Sequence, residues 1–310
     1  MVIDIKKEIK RLKKEKDAVI LAHNYQLKEV QEIADYVGDS FELAKIGKEL
    51  PNKTIVFCGV RFMAESAAIL SPEKKIILPV EDAGCPLADT ITARDVKQLK
   101  EKYPGIPIVT YINSSADVKA ESDYCCTSAN AVEIVNAINS DTIIFLPDSN
   151  LGSFVQMHTE KDIILWDGHC PIHHKVNVED IIRIKAVYEN AFLICHPECR
   201  PEVIEICDSV CSTSKMIEEA KKTDKKTIIL VTEEGMRHRL KKEITDKLIV
   251  VASPKLMCTD MKKTKIQHIY EALELEQTEI KIEKEIAEKA IIPLERMLKI
   301  MGKKKQFSGV

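Results

Sequence analysis

The sequence predicts an α/β protein built from three pseudo-symmetric three-layer α/β/α repeats, whose parallel sheets surround a central site. The first observation is a pattern that recurs at constant offsets of 88 and then 85 residues. Regularly spaced repeats of this kind indicate repeated structural units. Four sets of landmarks keep these offsets: His23, Tyr111 and His196; Asp35, Asp123 and Asp208; Ser40, Ser128 and Thr213; and apolar runs containing Phe57, Phe145 and Leu230.

The second observation is that each repeat contains continuous aliphatic and β-branched runs. Such runs are typical of parallel strands buried on both faces. Helical patterns at residues 30–36 and 203–207 lie between them, and this alternation predicts right-handed βαβ units. The predicted strands fall in three sets: 18–25, 106–113 and 191–198; 54–57, 142–145 and 227–230; and 76–78, 163–165 and 248–250.

The repeats suggest domain boundaries near Pro104-Gly105 and Glu189-Asn190. We therefore expect a first repeat with an N-terminal helix at residues 1–104, a second at 105–189 and a third at 190–270. Residues 271–300 are expected to join the first repeat, since Ile286 to Ile300 has a helical period. Residues 301–310 are expected to form a disordered tail.

Composition narrows the class of protein. Of 310 residues, 45% are hydrophobic and 31% are charged, and the formal net charge is −3. This balance gives no reason to expect nucleic acid or a membrane as a partner. The N-terminus lacks the apolar core of a signal peptide. The ten cysteines are therefore expected to be thiols or metal ligands in a reducing, cytoplasmic environment.

Polar residues at strand ends indicate where a ligand would bind. Parallel sheets bind ligands beyond the carboxyl ends of their strands, and His23, Tyr111 and His196 end the first strand of each repeat. Ser40, Ser128 and Thr213 precede apolar segments, where helix N-caps are expected. Because helix N-termini attract anions, three that converge predict a small ligand with two or three negative charges.

Three cysteines recur after the third predicted strand of each repeat: Cys85, Cys170 and Cys258. Their equivalence suggests one shared site with three sulfur ligands. Zinc with His173 as a fourth ligand is one possibility. A [4Fe–4S] cluster with one open iron is the other, and the long separations between the ligands favour it. The seven other cysteines are expected to pack in the core.

Distinctive short segments follow one another in order between residues 18 and 300, and several contain the strand-end residues and cysteines described above. The segments are 22–26, 34–40, 57–60 with 62–65, 111–114, 126–131, 170–173, 196–199, 212–214 and 258–262. Together, these motifs resemble those of the quinolinate synthase family.

The resemblance implies condensation of iminoaspartate with dihydroxyacetone phosphate to quinolinate, with loss of phosphate and two waters, in NAD biosynthesis. It also implies a [4Fe–4S] cluster on three cysteines and a functional link to an aspartate oxidase or dehydrogenase that supplies iminoaspartate. Tyr25, Glu198 and His23 become the proton-transfer candidates. The implied substrate ligands are His23, Ser40, Tyr111, Asn113, Ser128, His196, Glu198 and Thr213.

Other interpretations remain open at this point. The histidines, Tyr25 and Glu198 could be structural, and the hydroxyls could cap helices without touching a ligand. His173 could orient the cluster or the substrate, and it is not counted as a ligand. Two other functions are a cluster-dependent hydro-lyase acting on a dicarboxylate and a non-enzymatic iron–sulfur sensor.

Overall fold

The computed structural model describes residues 4–307, with side chains to residue 302. It contains three four-stranded parallel sheets that alternate with helices, which confirms the predicted α/β class with three repeats. The first sheet comprises β1 (Ala18–His23), β2 (Tyr36–Gly38), β3 (Thr54–Cys58) and β4 (Lys75–Ile77). The second comprises β5 (Ile108–Tyr111), β6 (Tyr124–Cys126), β7 (Thr142–Leu146) and β8 (Asp162–Leu165). The third comprises β9 (Phe192–Cys195), β10 (Ser209–Val210), β11 (Thr227–Val231) and β12 (Leu248–Val251).

The three sheets have the same strand order. They run β2-β1-β3-β4, β6-β5-β7-β8 and β10-β9-β11-β12. In each sheet the second strand in chain order lies on one side of the first strand, and the third and fourth strands lie on its other side. Only three strands per repeat were predicted. The fourth, at one edge of each sheet, is two or three residues long, which is too short to give a recognisable strand pattern.

The helices complete the layers. The first repeat contains α1 (Ile5–Glu15), α2 (Lys28–Ile33), α3 (Ser40–Glu49) and α4 (Arg61–Leu70). Next come α5 (Ala93–Lys102), α6 (Ala116–Ala120), α7 (Ala131–Ala137), α8 (Ser149–Gln156) and α9 (Pro171–His174). The remaining helices are α10 (Val178–Val187), α11 (Pro201–Ile204), α12 (Thr213–Lys222), α13 (Gly235–Glu243), α14 (Ile266–Leu275) and α15 (Lys284–Phe307).

Each repeat begins with a helix that precedes its first strand. Asp4, Thr92 and Asn177 are the N-caps of α1, α5 and α10, and each side chain accepts a hydrogen bond from the N–H three residues later. Helix α5 packs on the second sheet and α10 on the third. The predicted boundaries at 104–105 and 189–190 lie between these helices and the first strands that follow them, because the repeat was read from its first strand.

The recurring aspartates bond to the first strand in every repeat. The carboxylates of Asp35, Asp123 and Asp208 accept hydrogen bonds of 2.8–2.9 Å from the backbone N–H groups of Ile20, Ile108 and Leu193. In return, each aspartate N–H donates to the carbonyl of the same strand residue. These aspartates thus stabilise the turn that leads into the short edge strand.

The C-terminal segment, which was expected to join the first repeat, contacts both the first repeat and the second. Helix α14 packs with α1, and Lys48 pairs with Glu295 of α15 at 3.2 Å. Arg296 of α15, however, donates to the Asp123 carbonyl at 2.7 Å, and its guanidinium lies 5.2 Å from the centre of the Tyr124 ring. The segment therefore joins the first repeat to the second.

Helix α15 continues to Phe307. Residues 301–307 are thus helical where a disordered tail was expected, and residues 308–310 of that tail lie outside the described residues. None of the helices between residues 4 and 307 combines the length and apolarity that crossing a membrane requires.

Candidate active site

Residues from all three repeats line a cavity that is partly open to solvent, with about 670 Å³ of empty space including that open part. It lies where parallel sheets of this kind bind ligands, beyond the carboxyl ends of the central strands. Every residue proposed from the sequence for catalysis, substrate binding or metal binding lines it. They are His23, Tyr25, Ser40, Cys85, Tyr111, Asn113, Ser128, Cys170, His196, Glu198, Thr213 and Cys258.

The tips of the first strands share a local geometry in repeats one and three. The Tyr25 N–H donates to His23 Nδ1 at 3.2 Å, and the Glu198 N–H donates to His196 Nδ1 at 3.4 Å. The turn therefore brings Tyr25 and Glu198, two residues beyond each histidine, to equivalent positions. Asn113 occupies that position in repeat two.

Glu198 is the centre of a buried polar cluster. Its Oε2 lies 2.8 Å from His173 Nδ1 and 3.1 Å from His196 Nδ1, and Asn113 Nδ2 donates to its Oε1 at 3.4 Å. Burial alone would raise the pKa of the Glu198 carboxyl. The two imidazoles outweigh burial and hold that pKa below its usual range, so the cluster carries an ionised carboxylate at neutral pH.

The two strand-end histidines are neutral at pH 7. Burial, followed by the nearby His196, lowers the pKa of His23 to about 3. Burial also lowers the pKa of His196, and the attraction of Glu198 opposes it only in part. A neutral imidazole offers one N–H donor and one acceptor nitrogen, so these rings can hydrogen-bond a ligand without adding charge.

Tyr25 is buried, and its hydroxyl is hydrogen-bonded to a residue of repeat three. Its hydroxyl lies 2.6 Å from Thr232 Oγ1, and its ring meets that of His23 edge-on at 4.7 Å between centroids. Burial and then the Glu198 charge raise the pKa of Tyr25 well above its usual value. The phenol is therefore protonated throughout the physiological range.

The three hydroxyl residues lie at helix starts, but none is the N-cap that was predicted. Ser40 and Thr213 are the first residues of α3 and α12, whose N-caps are Asp39 and Ser212. Ser128 precedes α7, which begins after the N-cap Asn130. The prediction missed by one or two residues because Asp, Ser and Asn are equally good N-caps.

The three recurring cysteines lie on loops that follow the last strand of each sheet. Cys170 N–H donates to Asp148 Oδ2 at 2.9 Å, and Cys258 N–H donates to Glu233 Oε1 at 3.0 Å. Asp148 and Glu233 are buried and occupy equivalent positions after β7 and β11. The corresponding residue in repeat one is Val60.

The chemistry of these thiols fits a metal centre. Burial raises the pKa of Cys85 to about 12, and it also raises the pKa values of Cys170 and Cys258. They are thus protonated thiols until a metal displaces their protons. In the part of the chain that the structure describes, no other cysteine lines the cavity.

The spacing of the donor atoms indicates what kind of metal centre would fit. Across residues 4–302, the one His/Cys/Asp/Glu group whose donor atoms all lie within 4.8 Å of one another is Cys170, His173 and Glu198. The three cysteine sulfurs are not so closely spaced. A single ion held by three thiolates at about 2.3 Å needs closer sulfurs than a polynuclear cluster does.

Several lining residues were not proposed from the sequence. They include Asp39, Thr127 and Glu233, as well as His173, whose role was left open. His173 is buried, with its Nδ1 3.3 Å from Cys170 Sγ. The sequence did contain a signal for Glu233, because it lies two residues after the central strand β11, as Asp148 lies two residues after β7.

Comparisons with known proteins agree over nearly the whole chain. Residues 7–299 match the family described as quinolinate synthetase A protein. Quinolinate synthase from Caldicellulosiruptor bescii is 54% identical over 297 residues, covering 96% of this chain and 98% of that protein. Quinolinate synthase from Dehalococcoides mccartyi is 51% identical over 296 residues, with 96% and 98% covered. This chain therefore belongs to the quinolinate synthetase A family of enzymes.

Proposed function

We propose that this protein is a quinolinate synthase that condenses iminoaspartate with dihydroxyacetone phosphate in NAD biosynthesis. The observation that carries the proposal is the single cavity lined by all twelve candidate residues, in a chain that matches the family over residues 7–299. The products are quinolinate, phosphate and two waters.

The proposed cofactor is a [4Fe–4S] cluster held by Cys85, Cys170 and Cys258. One thiol from each repeat lines the cavity, and the thiols are close enough to influence one another electrostatically. Their wider spacing favours a cluster over a single ion. When bound, a cluster with three protein ligands supplies a Lewis-acidic iron at its open position.

The substrates are small anions, and the cavity supplies hydrogen-bond donors for them. The hydroxyls of Ser40, Ser128 and Thr213 and the amide of Asn113 are spread around its wall. Because His23 Nδ1 accepts from the Tyr25 N–H, the neutral ring carries its proton on Nε2 and can donate from there. Because these groups are neutral, they would orient carboxylates and phosphate through hydrogen bonds and would add no charge to the cavity.

Proton transfer is assigned to Tyr25, Glu198 and His23. The ionised Glu198 carboxylate can accept a proton from substrate carbon or oxygen, while the protonated Tyr25 hydroxyl can donate one. His23 is neutral, so it can do either through its two ring nitrogens. All three side chains are buried, so bulk water is kept from exchanging protons with the substrate in their place.

The test is quinolinate formation by anaerobically reconstituted protein supplied with both substrates. Glu198→Gln and Tyr25→Phe are each expected to lower single-turnover rates by about 10²-fold or more, with iron and sulfide content unchanged. Dehydration of a dicarboxylate without quinolinate formation would instead favour a hydro-lyase. A wild-type protein that holds the cluster yet catalyses neither reaction would contradict the proposal and favour a sensor.

A further inference from the structure

Thr232 connects side chains from all three repeats through one hydroxyl group. It is fully buried, directly after β11 in repeat three. Its Oγ1 lies 2.6 Å from the Tyr25 hydroxyl of repeat one and 3.1 Å from His173 Nε2 beyond β8. Thr232 does not itself line the cavity, and among the described residues its hydroxyl bonds to these two residues that do.

The other repeats have no hydroxyl at this position. The residues equivalent to Thr232 are Gly59 and Pro147, and neither side chain can donate or accept a hydrogen bond. The repeated scaffold therefore does not explain the presence of a threonine here. Its partners, one cavity-lining tyrosine and one cavity-lining histidine, point to the site instead.

The contacts of Thr232 continue to a second proton-transfer candidate. His173 Nδ1, on the opposite side of the ring from Nε2, lies 2.8 Å from Glu198 Oε2. Thr232 and His173 thus form a continuous chain of buried polar contacts that joins Tyr25 to Glu198.

We infer that Thr232 is a positioning residue that holds the Tyr25 hydroxyl in place beside the cavity. The two oxygens lie 2.6 Å apart, so their hydrogen bond restrains the position of the Tyr25 side chain relative to the bound substrate. This inference rests on the proposed quinolinate synthase function and specifies how its tyrosine is held.

The effect of this arrangement is on rate more than on affinity. Holding a reacting group in one orientation removes conformations that cannot react, and misplacement by about 1 Å can cost about 10²-fold in rate. Without this hydrogen bond, the Tyr25 side chain would spend part of its time away from the position in which it can exchange a proton with the substrate. Thr232 restrains it without lining the cavity itself.

The experiment compares Thr232→Val, which keeps the shape but removes the hydroxyl, with Thr232→Ser, which keeps the hydroxyl. Thr264→Val is the matched control, because Thr264 is also fully buried and its hydroxyl has no hydrogen-bond partner among the described residues. We expect T232V to lower kcat about 10-fold or more with KM changed less than about threefold. T232S should retain most of the activity, and T264V should match wild type.

A double mutant separates positioning from loss of structure. If Thr232 acts through Tyr25, adding T232V to Tyr25→Phe should change kcat less than about twofold, since coupled residues are non-additive. Melting temperature and iron content of T232V should stay close to those of T264V. Additive losses, or T232S as impaired as T232V, would overturn the inference.

The two proposals fail in different ways. A wild-type protein that forms no quinolinate would overturn the proposed function and this inference with it. A wild-type enzyme that forms quinolinate while T232V has the same kcat as T264V would overturn only the role of Thr232.

Discussion

The cysteine loop of repeat one is held differently from those of repeats two and three. Buried carboxylates bind the backbone N–H groups of Cys170 and Cys258. In repeat one the equivalent position is Val60, and the loop is instead joined to the scaffold by a 2.8 Å bond from Arg61 N–H to the Ala83 carbonyl. The three repeats thus place similar thiols at equivalent positions, but side-chain carboxylates hold two of the loops and a backbone hydrogen bond holds the third.

The two carboxylates also differ from each other. Glu233 pairs with the Lys262 ammonium at 2.9 Å, and Lys262 also donates to the Tyr25 carbonyl at 2.6 Å. Among the residues whose side chains the structure describes, no cation pairs with Asp148, which accepts backbone hydrogen bonds instead, including one from Leu151 N–H at 2.8 Å. Burial, followed by the charge of Glu198, raises the pKa of Asp148. The comparison teaches that the repeat fixes where each thiol lies, whereas the contacts that support the cysteine loop differ from one repeat to the next.

The largest expected effect is the loss of the cluster, and it should be the same for all three cysteines even though their loops are held differently. Cys85→Ala, Cys170→Ala and Cys258→Ala should each abolish cluster assembly or leave the cluster unstable, because a cluster with three protein ligands has none to spare. Iron and sulfide analysis after anaerobic reconstitution measures this. The matched controls Cys125→Ala, Cys199→Ala and Cys207→Ala should keep wild-type content, and wild-type iron in any of the first three would contradict the ligand assignment.

The second effect tests the carboxylate supports directly. Asp148→Asn and Glu233→Gln each replace an acceptor oxygen by a donor NH₂, so one backbone N–H loses its partner at a cost of about 1.5–3 kcal/mol. We expect faster loss of iron to a chelator in both variants. Asp35→Asn is the control, since its carboxylate also holds a backbone N–H but lies away from the cysteines. Equal iron retention in all three variants would show that the carboxylates stabilise the fold alone.

A third effect concerns the hydroxyls, which recur in all three repeats. Ser40→Ala, Ser128→Ala and Thr213→Ala should each weaken quinolinate binding, since a hydrogen bond to a charged group contributes about 1.5–3 kcal/mol, or one to two decades of affinity. Calorimetric titration measures the affinity, and iron content should not change. Thr213 also accepts from Asn24 Nδ2 at 2.9 Å, so Thr213→Ser is the control that keeps this contact. Unchanged affinity in all three alanine variants would leave these residues a purely structural role.

The smallest effect is expected where the repeats are most alike. Asp35→Asn, Asp123→Asn and Asp208→Asn should each lower the free energy of unfolding by about 1 kcal/mol, because each loses part of one bond to the first strand. Denaturant melts compare them. Losses that differ several-fold among the three would mean that the repeats are less equivalent than their backbones.

The sequence by itself determined the three repeats, their buried parallel strands and the residues at the strand ends. These features follow from local periodicity and from constant offsets, both of which can be read along one chain. For the same reason the sequence identified the three equivalent thiols and the strand-end residues His23, Tyr111 and His196. It missed the edge strands, which are too short to show a period.

Only the tertiary structure decided which residues from different repeats meet. Tyr25, His173 and Thr232 are separated by 59 to 207 residues along the chain, yet they share two hydrogen bonds. The sequence showed neither this contact, nor the packing of α15 across two repeats, nor the carboxylates behind Cys170 and Cys258. Such contacts depend on how separately patterned units pack against one another, and that packing has no periodic signal within any one of them.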